Sequence, residues 1–377
     1  MLELQTYVIF GLLTLISVLI AWRLMYAFKH FKIKQMISEP GMLKDLPSLS
    51  VCIPARNETH AMTQCLERVI ASTYPKLEII VLDDSSVDDT SMLIKAFAHA
   101  GVRFVEGSRL PEGWLGKNHA LQGLLNEASG KIILFMDVDT HIQPDTIGQL
   151  VSYMGQEKAD MISVLPMRRD GLRTSVHLGT LRYFWELIFH RRNAPAVSSG
   201  AWMIKRKSLQ TEFNGFKTLK TAVQPEKVLA AVFMKTNRYR FLIGTTMLGV
   251  GYEKKWQSQV ETSVRLLFPT FGGHLEAVFF AFLGLALLNT PLVIIICSLV
   301  NGWTIVESMA LWQLCIYSAL YGLYLEKVWA KGWWIGMLLW PVIIAQELVL
   351  LIMSTIGYMR RSITWKGRPI SIKPNLH

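Results

Sequence analysis

The stretch Ile132–Asp139, with the sequence IILFMDVD, decides the fold prediction because five apolar residues run directly into two aspartates. A short apolar run of this kind is typical of a strand buried on both faces of a parallel sheet. Side chains alternate along a strand, so Asp137 and Asp139 point to the same side. Open α/β sheets bind their ligands at the carboxyl ends of the strands. The stretch therefore predicts a functional site at the end of this strand.

Two carboxylates on one side of a chain repel each other unless a cation lies between them. Hard divalent cations prefer oxygen ligands and are usually shared between a carboxylate and substrate phosphates. Our hypothesis is that Asp137 and Asp139 form a metal–diphosphate site. The alternative is that an Asp-x-Asp after a strand is a solvated loop, and the tripeptide alone does not separate the two.

The surrounding chain alternates between strands and helices. Apolar strands are predicted over Leu49–Ile53, Leu77–Leu82 and Val102–Glu106, and helices over Met62–Ser72, Asp88–Ala100 and Asn118–Ala128. This alternation predicts a parallel, doubly wound α/β domain over residues 46–246. Polar clusters follow three of the strands, at Asn57-Glu58, Asp83-Asp84 and Asp137–Asp139. In a parallel sheet these clusters gather along one edge, which predicts a nucleotide site.

The composition indicates a soluble domain joined to membrane segments. Hydrophobic residues make up 51% of the 377 residues, the mean hydropathy is +0.31, and charged residues still reach 18%. The net charge of +11 favours anionic lipid headgroups or phosphate-bearing substrates as partners, and with long apolar runs present we expect no nucleic-acid partner. The four cysteines have no CxxC spacing, so neither a disulfide framework nor a zinc site is predicted.

The first apolar run, Tyr7–Phe28, is long enough to span a bilayer, and we predict a transmembrane helix over residues 1–28. No positive segment precedes it, which favours a retained anchor over a cleaved signal peptide. Lys29, Lys32 and Lys34 follow the run and place the next domain in the cytoplasm by the positive-inside rule. The sequence thus predicts a multi-pass protein of the plasma membrane.

The last third of the chain has membrane features too. An interfacial amphipathic helix is predicted over 252–273, a transmembrane region over 275–356 and a basic cytoplasmic tail over 357–377. The apolar runs are Leu275–Val300, Met309–Leu325 and Trp333–Ile356. Because three crossings would put the tail outside, we predict a hairpin of two short helices at Asn289-Thr290-Pro291.

Two further features of the apolar segments leave alternatives open. Thr174–Phe189 is either a helix packed on the sheet or an amphipathic helix at the membrane surface. Glu347, inside the last apolar run, either lines the path of a lipid or lies in a helix–helix contact.

Three segments together carry a resemblance to a known family. VCIPARNE at 51–58, IIVLDDSSVDDT at 79–90 and FMDVDTHIQPD at 135–145 resemble the nucleotide-sugar half of inverting family 2 glycosyltransferases, which have a GT-A fold. WLGKNHALQG at 114–123 and WKGR at 365–368 are similar to membrane-bound transferases of lipids. Those are the hopene-associated, ceramide glucosyltransferase-like and diaponeurosporenoate glycosyltransferase groups. The resemblance extends roughly from Leu49 to Arg368.

The resemblance implies roles for individual residues. Those that would bind the UDP-sugar are Pro54, Ala55, Arg56 and Glu58 around the uridine, Asp83 and Asp84 near the uracil and ribose, and Asp137 on the ribose side. Asp139 would bind the divalent metal, Mg or Mn. Lys117 suits the diphosphate as a compact charge, unless it is a solvated loop lysine. His119 is a weaker candidate. Arg265 stands loosely in the place of a segment that closes over the substrate.

The position of the general base departs from the family. The family usually has a Glu-Asp pair where this chain has Glu226 and Lys227. Transfer to a hydroxyl needs a base, whereas a carboxylate acceptor is already ionised at neutral pH. The missing acid and the diaponeurosporenoate resemblance favour a carboxylate acceptor, with a hydroxyl left open. A third interpretation is that Glu226 only begins a helix.

The resemblance thus implies a membrane enzyme that moves a sugar from a UDP-sugar to a lipophilic acceptor at the cytoplasmic face. The acceptor would be a carotenoid acid, a hopanoid or another membrane lipid. One alternative is a processive polysaccharide synthase. The other is a membrane scaffold with a decayed nucleotide fold, against which the intact acidic clusters argue.

Overall fold

The computed structural model describes residues 2–31, 46–169 and 178–370, and these residues form two compact units. An α/β unit consists of Phe31–Arg169 and His190–Glu253. A helical unit consists of Met1–His30, Asp170–Phe189 and Lys254–His377. The domain predicted as one continuous range, 46–246, is therefore interrupted by a segment that belongs with the apolar helices.

The described residues of the α/β unit form ten strands. They are β1 Leu49–Ala55, β2 Leu77–Asp83, β3 Val102–Glu106, β4 Ile132–Met136, β5 Thr140–His141, β6 Met161–Leu165, β7 Met167–Arg168, β8 Ala201–Lys205, β9 Tyr239–Ile243 and β10 Gly251–Tyr252. Seven of them form one sheet in the order β3-β2-β1-β4-β8-β6-β9, and β5-β10-β7 form a small second sheet. All five residues of β4 are buried, as its unbroken apolar sequence predicts.

The sheet is rich in parallel pairs, as predicted, but one strand, β8, is antiparallel to its neighbours. Strands β1, β2, β3 and β4 are parallel neighbours, but β8 is antiparallel to both β4 and β6. Parallel neighbours need a crossover connection, usually a helix packed on the sheet. The helix between β6 and β8 belongs to the helical unit, so the chain re-enters the sheet in the opposite direction.

The helices of this unit cover the sheet. They are α2 Thr59–Ile70, α3 Thr90–Ala96, α4 Gly116–Glu127, α5 Thr146–Gln156, α7 Arg206–Phe213 and α8 Pro225–Lys235, with short 3₁₀ turns at Ala98–Ala100 and Lys217–Leu219. Four apolar residues of α2, including Leu66 and Val69, are buried against the sheet together with Leu150 and Met154 of α5. The helix α4 packs on β1 and β2.

The helical unit contains the remaining elements. They are α1 Leu2–Phe31, α6 Arg182–Phe189, α9 Trp256–Thr270, α10 Leu275–Asn301, α11 Ile305–Val328, α12 Trp333–Leu338, α13 Trp340–Met359, and a hairpin of β11 Thr364–Trp365 and β12 Arg368–Pro369. Three helical stretches in the described residues are long and apolar enough to cross a membrane: Gln5–Phe31, Leu275–Ser298 and Trp340–Met359. Lys32 and Lys34, and tail residues 371–377, lie outside the described residues, as does the first part of Thr174–Phe189.

The predicted hairpin at Asn289-Thr290-Pro291 is wrong, because α10 continues through Pro291 without a break. A turn at this point would expose backbone donors and acceptors in apolar surroundings, where each unpaired group is costly. Within the helix, Asn289 Nδ2 donates to the carbonyl of Leu285 at 2.8 Å, and Thr290 Oγ1 donates to that of Ala286 at 3.3 Å.

Glu347 of α13 lies in a contact with the segment that begins α6. Its Oε2 accepts a hydrogen bond from the backbone N–H of Leu181 at 3.3 Å, and its side chain is 1% exposed. Phe184 of α6 contacts Tyr321, Tyr324 and Trp340, with ring centroids 5.4–5.8 Å apart. This favours the helix-contact interpretation of Glu347, and it places α6 against other helices of its own unit.

Candidate active site

The carboxyl ends of β1 and β2 lie level with each other. Pro54 pairs with Leu82 and Ala55 with Asp83, and the backbone N–H of Asp84 donates to the carbonyl of Ala55 at 2.8 Å. The polar segments that follow these strands are therefore neighbours, as the sequence predicts.

Arg56 and the residues after it fasten the two loops together. Arg56 Nη1 donates to the carbonyls of Asp84 and of Ser85, the latter at 2.9 Å. Asn57 Oδ1 accepts from the N–H of Val87 at 2.9 Å, and the N–H of Glu58 donates to Thr90 Oγ1 at 2.8 Å. The loops form one hydrogen-bonded wall at the sheet edge.

Asp83 uses its carboxylate to hold its own loop. Its Oδ1 accepts from the N–H of Ser86 at 3.1 Å and from the Ser86 hydroxyl, and its Oδ2 accepts from the Ser91 hydroxyl. Asp83 and Asp84 are 5% and 3% exposed. Asp83 therefore has a clear structural role, and its role towards a nucleoside stays a prediction.

Lys117 lies beside the aspartate pair at the end of β4. Its Nζ is 3.1 Å from Asp137 Oδ1, and both side chains remain partly accessible. The N–H of Asp137 donates to the carbonyl of Gly200 at 2.9 Å, and Thr140 Oγ1 donates to the same carbonyl at 2.8 Å. A side chain at Gly200 would meet Pro166 and Thr140 at 3.2 and 3.3 Å, so a small residue is required at this approach. The predicted lysine and the first predicted aspartate are thus brought together.

The acids at and near the contact between Lys117 and Asp137 affect the pKa of one buried thiol. The pKa of Cys65 in α2 is raised to about 12, mainly by burial and also by the charges of Asp139, Glu58 and Asp137. The acids therefore lie close enough to share an electrostatic field.

The donor set fits a divalent cation that is shared with a phosphate ligand. Within the described residues, no three His, Cys, Asp or Glu side chains could hold a metal ion by themselves. Mg²⁺ commonly uses one or two carboxylates and completes its shell with water and substrate phosphates. Asp139 and Asp137 offer those carboxylates, and their mutual repulsion favours a cation between them.

Asn118 fastens the start of α4 to the segment that precedes Glu226. Its Nδ2 donates to the carbonyls of Leu219 at 2.7 Å and Ala222 at 2.8 Å, and lies 3.3 Å from that of Lys220. It is 1% exposed. Its neighbour Lys117 contacts Asp137, so one helical turn connects the aspartate pair with the chain that leads to Glu226. Asn118 lies in the motif WLGKNHALQG, but the sequence alone did not indicate a role for it.

We expect Asn118→Ala to destabilise the α/β unit by about 2–3 kcal/mol, because buried carbonyls lose their donor. The melting temperature of the detergent-purified chain measures this. Asn126→Ala, an exposed asparagine on the same helix, is the matched control. Equal melting temperatures for the two variants would contradict the anchoring role.

Glu226 lies in the first turn of α8, directly after Pro225. It is 2% exposed, and its Oε2 is buried without a hydrogen-bond partner. A buried acceptor without a partner is costly, and such groups recur at catalytic positions. The Nε2 of Gln224 is also buried without a partner. The start of a helix explains why Glu226 lies at this position. It does not explain why Oε2 of Glu226 is buried without a hydrogen-bond partner.

A family model places these elements in a known class. Residues 50–213 match the model described as Glycosyl transferase family 2, and this range holds the loops after β1, β2 and β4. The match is to a glycosyltransferase family 2 domain and covers less than half of the chain.

Two curated proteins resemble part of this chain. A probable glycosyltransferase, YdaM, of Bacillus subtilis (strain 168) is 30% identical over 152 residues, which are 38% of this chain and 36% of that protein. The 4,4'-diaponeurosporenoate glycosyltransferase of Staphylococcus aureus (strain bovine RF122 / ET3-1) is 31% identical over 122 residues, 32% of each protein. The chain thus matches about a third of the length of these curated relatives.

A solved structure resembles nearly the whole chain. It is the mannosyltransferase PcManGT from Pyrobaculum calidifontis in complex with GDP-Man and Mn²⁺, with a TM-score of 0.56 and 18% identity. It covers 95% of this chain and 99% of that one. The predicted GT-A fold is confirmed, in a mixed rather than an all-parallel sheet.

His141 is a residue of this domain that sequence reasoning missed. It is 5% exposed, on the small sheet beside β10, and its Nδ1 is 3.8 Å from Glu253 Oε1. Its pKa is lowered to about 4, mainly by burial and also by the nearby charges of Arg68 and Arg169. His141 is therefore neutral at pH 7, and its contact with Glu253 is not an ion pair there.

We expect the domain to lose stability on acidification through His141. An unfolded histidine has a pKa of about 6.5, so between pH 6.5 and 4 the unfolded chain binds a proton that the folded chain does not. The stability is fully present above pH 6.5 and falls by about 2 kcal/mol at pH 5. His141→Gln should remove about 4–8 °C of the drop in melting temperature between pH 7.5 and 5.0. An identical drop in both proteins would exclude this role.

Arg265 and His119 are the remaining predicted residues. Arg265 belongs to the helical unit, where its guanidinium lies 5.5 Å from the ring centre of Trp365. Its role towards the donor stays a prediction. His119 Nε2 lies 3.5 Å from Ser108 Oγ, and its ring meets that of Trp114 edge-on.

Proposed function

We propose that this protein transfers a sugar from a UDP-sugar to a lipophilic acceptor, with inversion at the sugar carbon. The observation that carries the proposal is the contact between Lys117 and Asp137 next to Asp139, at the sheet edge where the loops after β1 and β2 also end. At this edge of the sheet, the lysine can bind a diphosphate, and the two aspartates can bind the metal ion that accompanies it.

Asp139, with Asp137 beside it, would hold Mg²⁺ or Mn²⁺. When bound, the metal supplies positive charge to the leaving diphosphate. Lys117 would bind a phosphate oxygen as a compact charge. The wall made by Arg56, Glu58 and Asp84 would bind the nucleoside. The relative PcManGT was solved with GDP-Man and Mn²⁺, which supports a nucleotide-sugar and metal pair here.

Glu226 would take the proton of an acceptor hydroxyl. The free oxygen of its buried carboxylate favours this role, and it shifts the balance towards a hydroxyl. A carboxylate acceptor is the second candidate, because the relative from Staphylococcus aureus is named for diaponeurosporenoate, a carboxylate, and Lys227 replaces the family's second acid.

We also propose that the protein is a multi-pass plasma membrane enzyme with its α/β unit in the cytoplasm. Lys29 follows the first apolar stretch on that side. After the α/β unit, α10 and α13 are long and apolar enough to cross, and two such crossings would return the chain to the cytoplasm. This replaces the hairpin at Pro291 as the reason for a cytoplasmic tail.

A cysteine at Ser362 is therefore expected to resist an impermeant thiol reagent in intact cells and to react after lysis. The background carries Cys297→Ser and Cys315→Ser, since those two cysteines are exposed whereas Cys52 and Cys65 are buried. Trp303→Cys, after α10, is the control and should react in intact cells. Labelling at position 362 in intact cells would reverse the assignment of the tail.

The activity test uses the purified chain with a panel of UDP- and GDP-sugars, Mg²⁺ or Mn²⁺, and membrane lipid extracts. A metal-dependent glycolipid with one sugar, detected by mass spectrometry, is the expected product. Long saccharide chains would instead identify a processive synthase. No turnover of any donor would favour the scaffold interpretation.

A further inference from the structure

The end of the described chain is a folded β-hairpin. Thr364 pairs with Pro369 and Trp365 with Arg368, and the two-residue turn between them consists of Lys366 and Gly367. Both turn residues have positive φ, 47° and 79°, which is the geometry of a tight hairpin turn. The hairpin begins five residues after the end of α13 at Met359.

The hairpin is held against helices of its own unit. The Arg265 guanidinium of α9 lies 5.5 Å from the ring centre of Trp365, and Tyr358 Oη donates to the carbonyl of Arg265 at 2.7 Å. Ile363 is 7% exposed and contacts Gly357. The N–H of Ile370 donates to the carbonyl of Ile363 at 2.9 Å. The charged residues of the hairpin are therefore carried on an ordered element.

The charged residues in and around the hairpin are all basic. Between Gly357 and Ile370 the sequence contains Arg360, Arg361, Lys366 and Arg368 and no acidic residue. Arg360 and Arg361 are exposed, and Lys366 and Arg368 are partly exposed. Such a cluster favours a phosphate-bearing ligand, because Arg and Lys make charge-assisted hydrogen bonds to phosphate oxygens.

Two of these basic residues have a positive backbone φ, which is unfavourable for most residues with a side chain. Arg361 and Lys366 have φ values of 53° and 47°, a region where Gly and Asn are the comfortable residues. Elsewhere in the described residues, the non-glycine positions with positive φ hold three asparagines, one serine and Lys158. Arg361 lies in the turn that ends α13, since the N–H of Ser362 donates to the carbonyl of Gly357, and Lys366 begins the hairpin turn, so asparagine would fit both positions.

We propose that residues 360–369, which contain this hairpin, form a phosphate-binding element of the helical unit. Its ligand carries a phosphate ester or diphosphate. The source is either the headgroup of an anionic lipid, since α13 is apolar enough to cross a membrane, or a soluble diphosphate.

The test uses the double variant Arg361→Asn with Lys366→Asn. Asparagine tolerates positive φ, so the variant loses two charges while its hairpin is kept or stabilised. Its melting temperature should equal or exceed that of the wild type. Lys207→Gln with Lys235→Gln removes two exposed charges from the α/β unit and serves as the matched control.

Two probes separate the sources. Short-chain phosphatidylglycerol is titrated against the full chain in detergent by native mass spectrometry, with phosphatidylcholine of the same length as reference. Inorganic pyrophosphate is titrated by calorimetry in EDTA, where the acidic pair without metal does not attract it. We expect one probe to bind the Asn double variant about 25-fold more weakly, about fivefold for each cation lost.

Loss of phosphatidylglycerol binding identifies a lipid headgroup, and loss of pyrophosphate binding identifies a soluble diphosphate. Wild-type affinity of the Asn double variant for both probes would overturn the proposal, as would an equal loss in the Lys207/Lys235 control. Neither readout requires sugar transfer, so the result stands apart from the proposed enzymatic activity.

Discussion

Replacement of Asp139 by asparagine is expected to reduce sugar transfer at least a thousandfold while the melting temperature of the α/β unit stays within about 2 °C. Metal roles of this kind contribute several kcal/mol of transition-state stabilisation, and about 4 kcal/mol corresponds to a thousandfold. Asparagine keeps the size of the side chain and removes its charge. Initial rates at increasing Mn²⁺ measure the effect, and very high Mn²⁺ should restore only a small part of the rate.

The matched control for this prediction is Asp89→Asn. Asp89 is an exposed acid at the start of α3 that makes no side-chain capping bond, so its loss changes the net charge equally. Near-normal turnover of Asp139→Asn at ordinary metal concentrations would refute the metal site.

Replacement of Glu226 by glutamine is expected to lower kcat about 100-fold or more, which is the usual size of a general-base effect. The affinity for UDP should change little, because the predicted donor residues lie on the loops after β1, β2 and β4 and at the start of α4. Glu276→Gln, another acid in the first turn of a helix, is the control for a merely electrostatic effect.

The same variant decides between the two acceptor classes. A carboxylate acceptor arrives ionised, so Glu226→Gln would then change kcat less than about threefold, since no proton has to be removed. The product would be an ester that mild alkali cleaves, whereas a glycoside survives. An alkali-stable product together with an unimpaired Glu226→Gln would contradict both acceptor assignments of this residue.

The central features could be predicted because they are local in the sequence. An apolar run followed by acids identifies a strand and its carboxyl end, so the neighbouring strand ends of β1 and β2 and the location of Asp137 followed directly. Lys117 was found through its motif, and the structure adds its contact with Asp137.

Other features depend on contacts between segments that are far apart in the sequence. The direction of β8 follows from a helix that leaves the α/β unit, which no local pattern reveals. Asn118 binds carbonyls about 100 residues away, and a polar residue inside a helix carries no such signal in one sequence. Pro291 misled the prediction because proline usually ends helices, whereas in apolar surroundings an unbroken helix keeps its backbone groups paired.

The contact between Leu181 and Glu347 has a consequence for synthesis of the chain on the ribosome. The two residues are 166 positions apart. Because translation adds about 5–20 residues per second, Glu347 is synthesised roughly 8–33 s after Leu181. During that interval Phe184 lacks Tyr321 and Trp340 as well. The nascent chain therefore carries an unfinished apolar segment in its middle while later helices are still being made. A chain truncated before residue 340 would lack Trp340 and Glu347, so Phe184 and Leu181 would lose those two contacts.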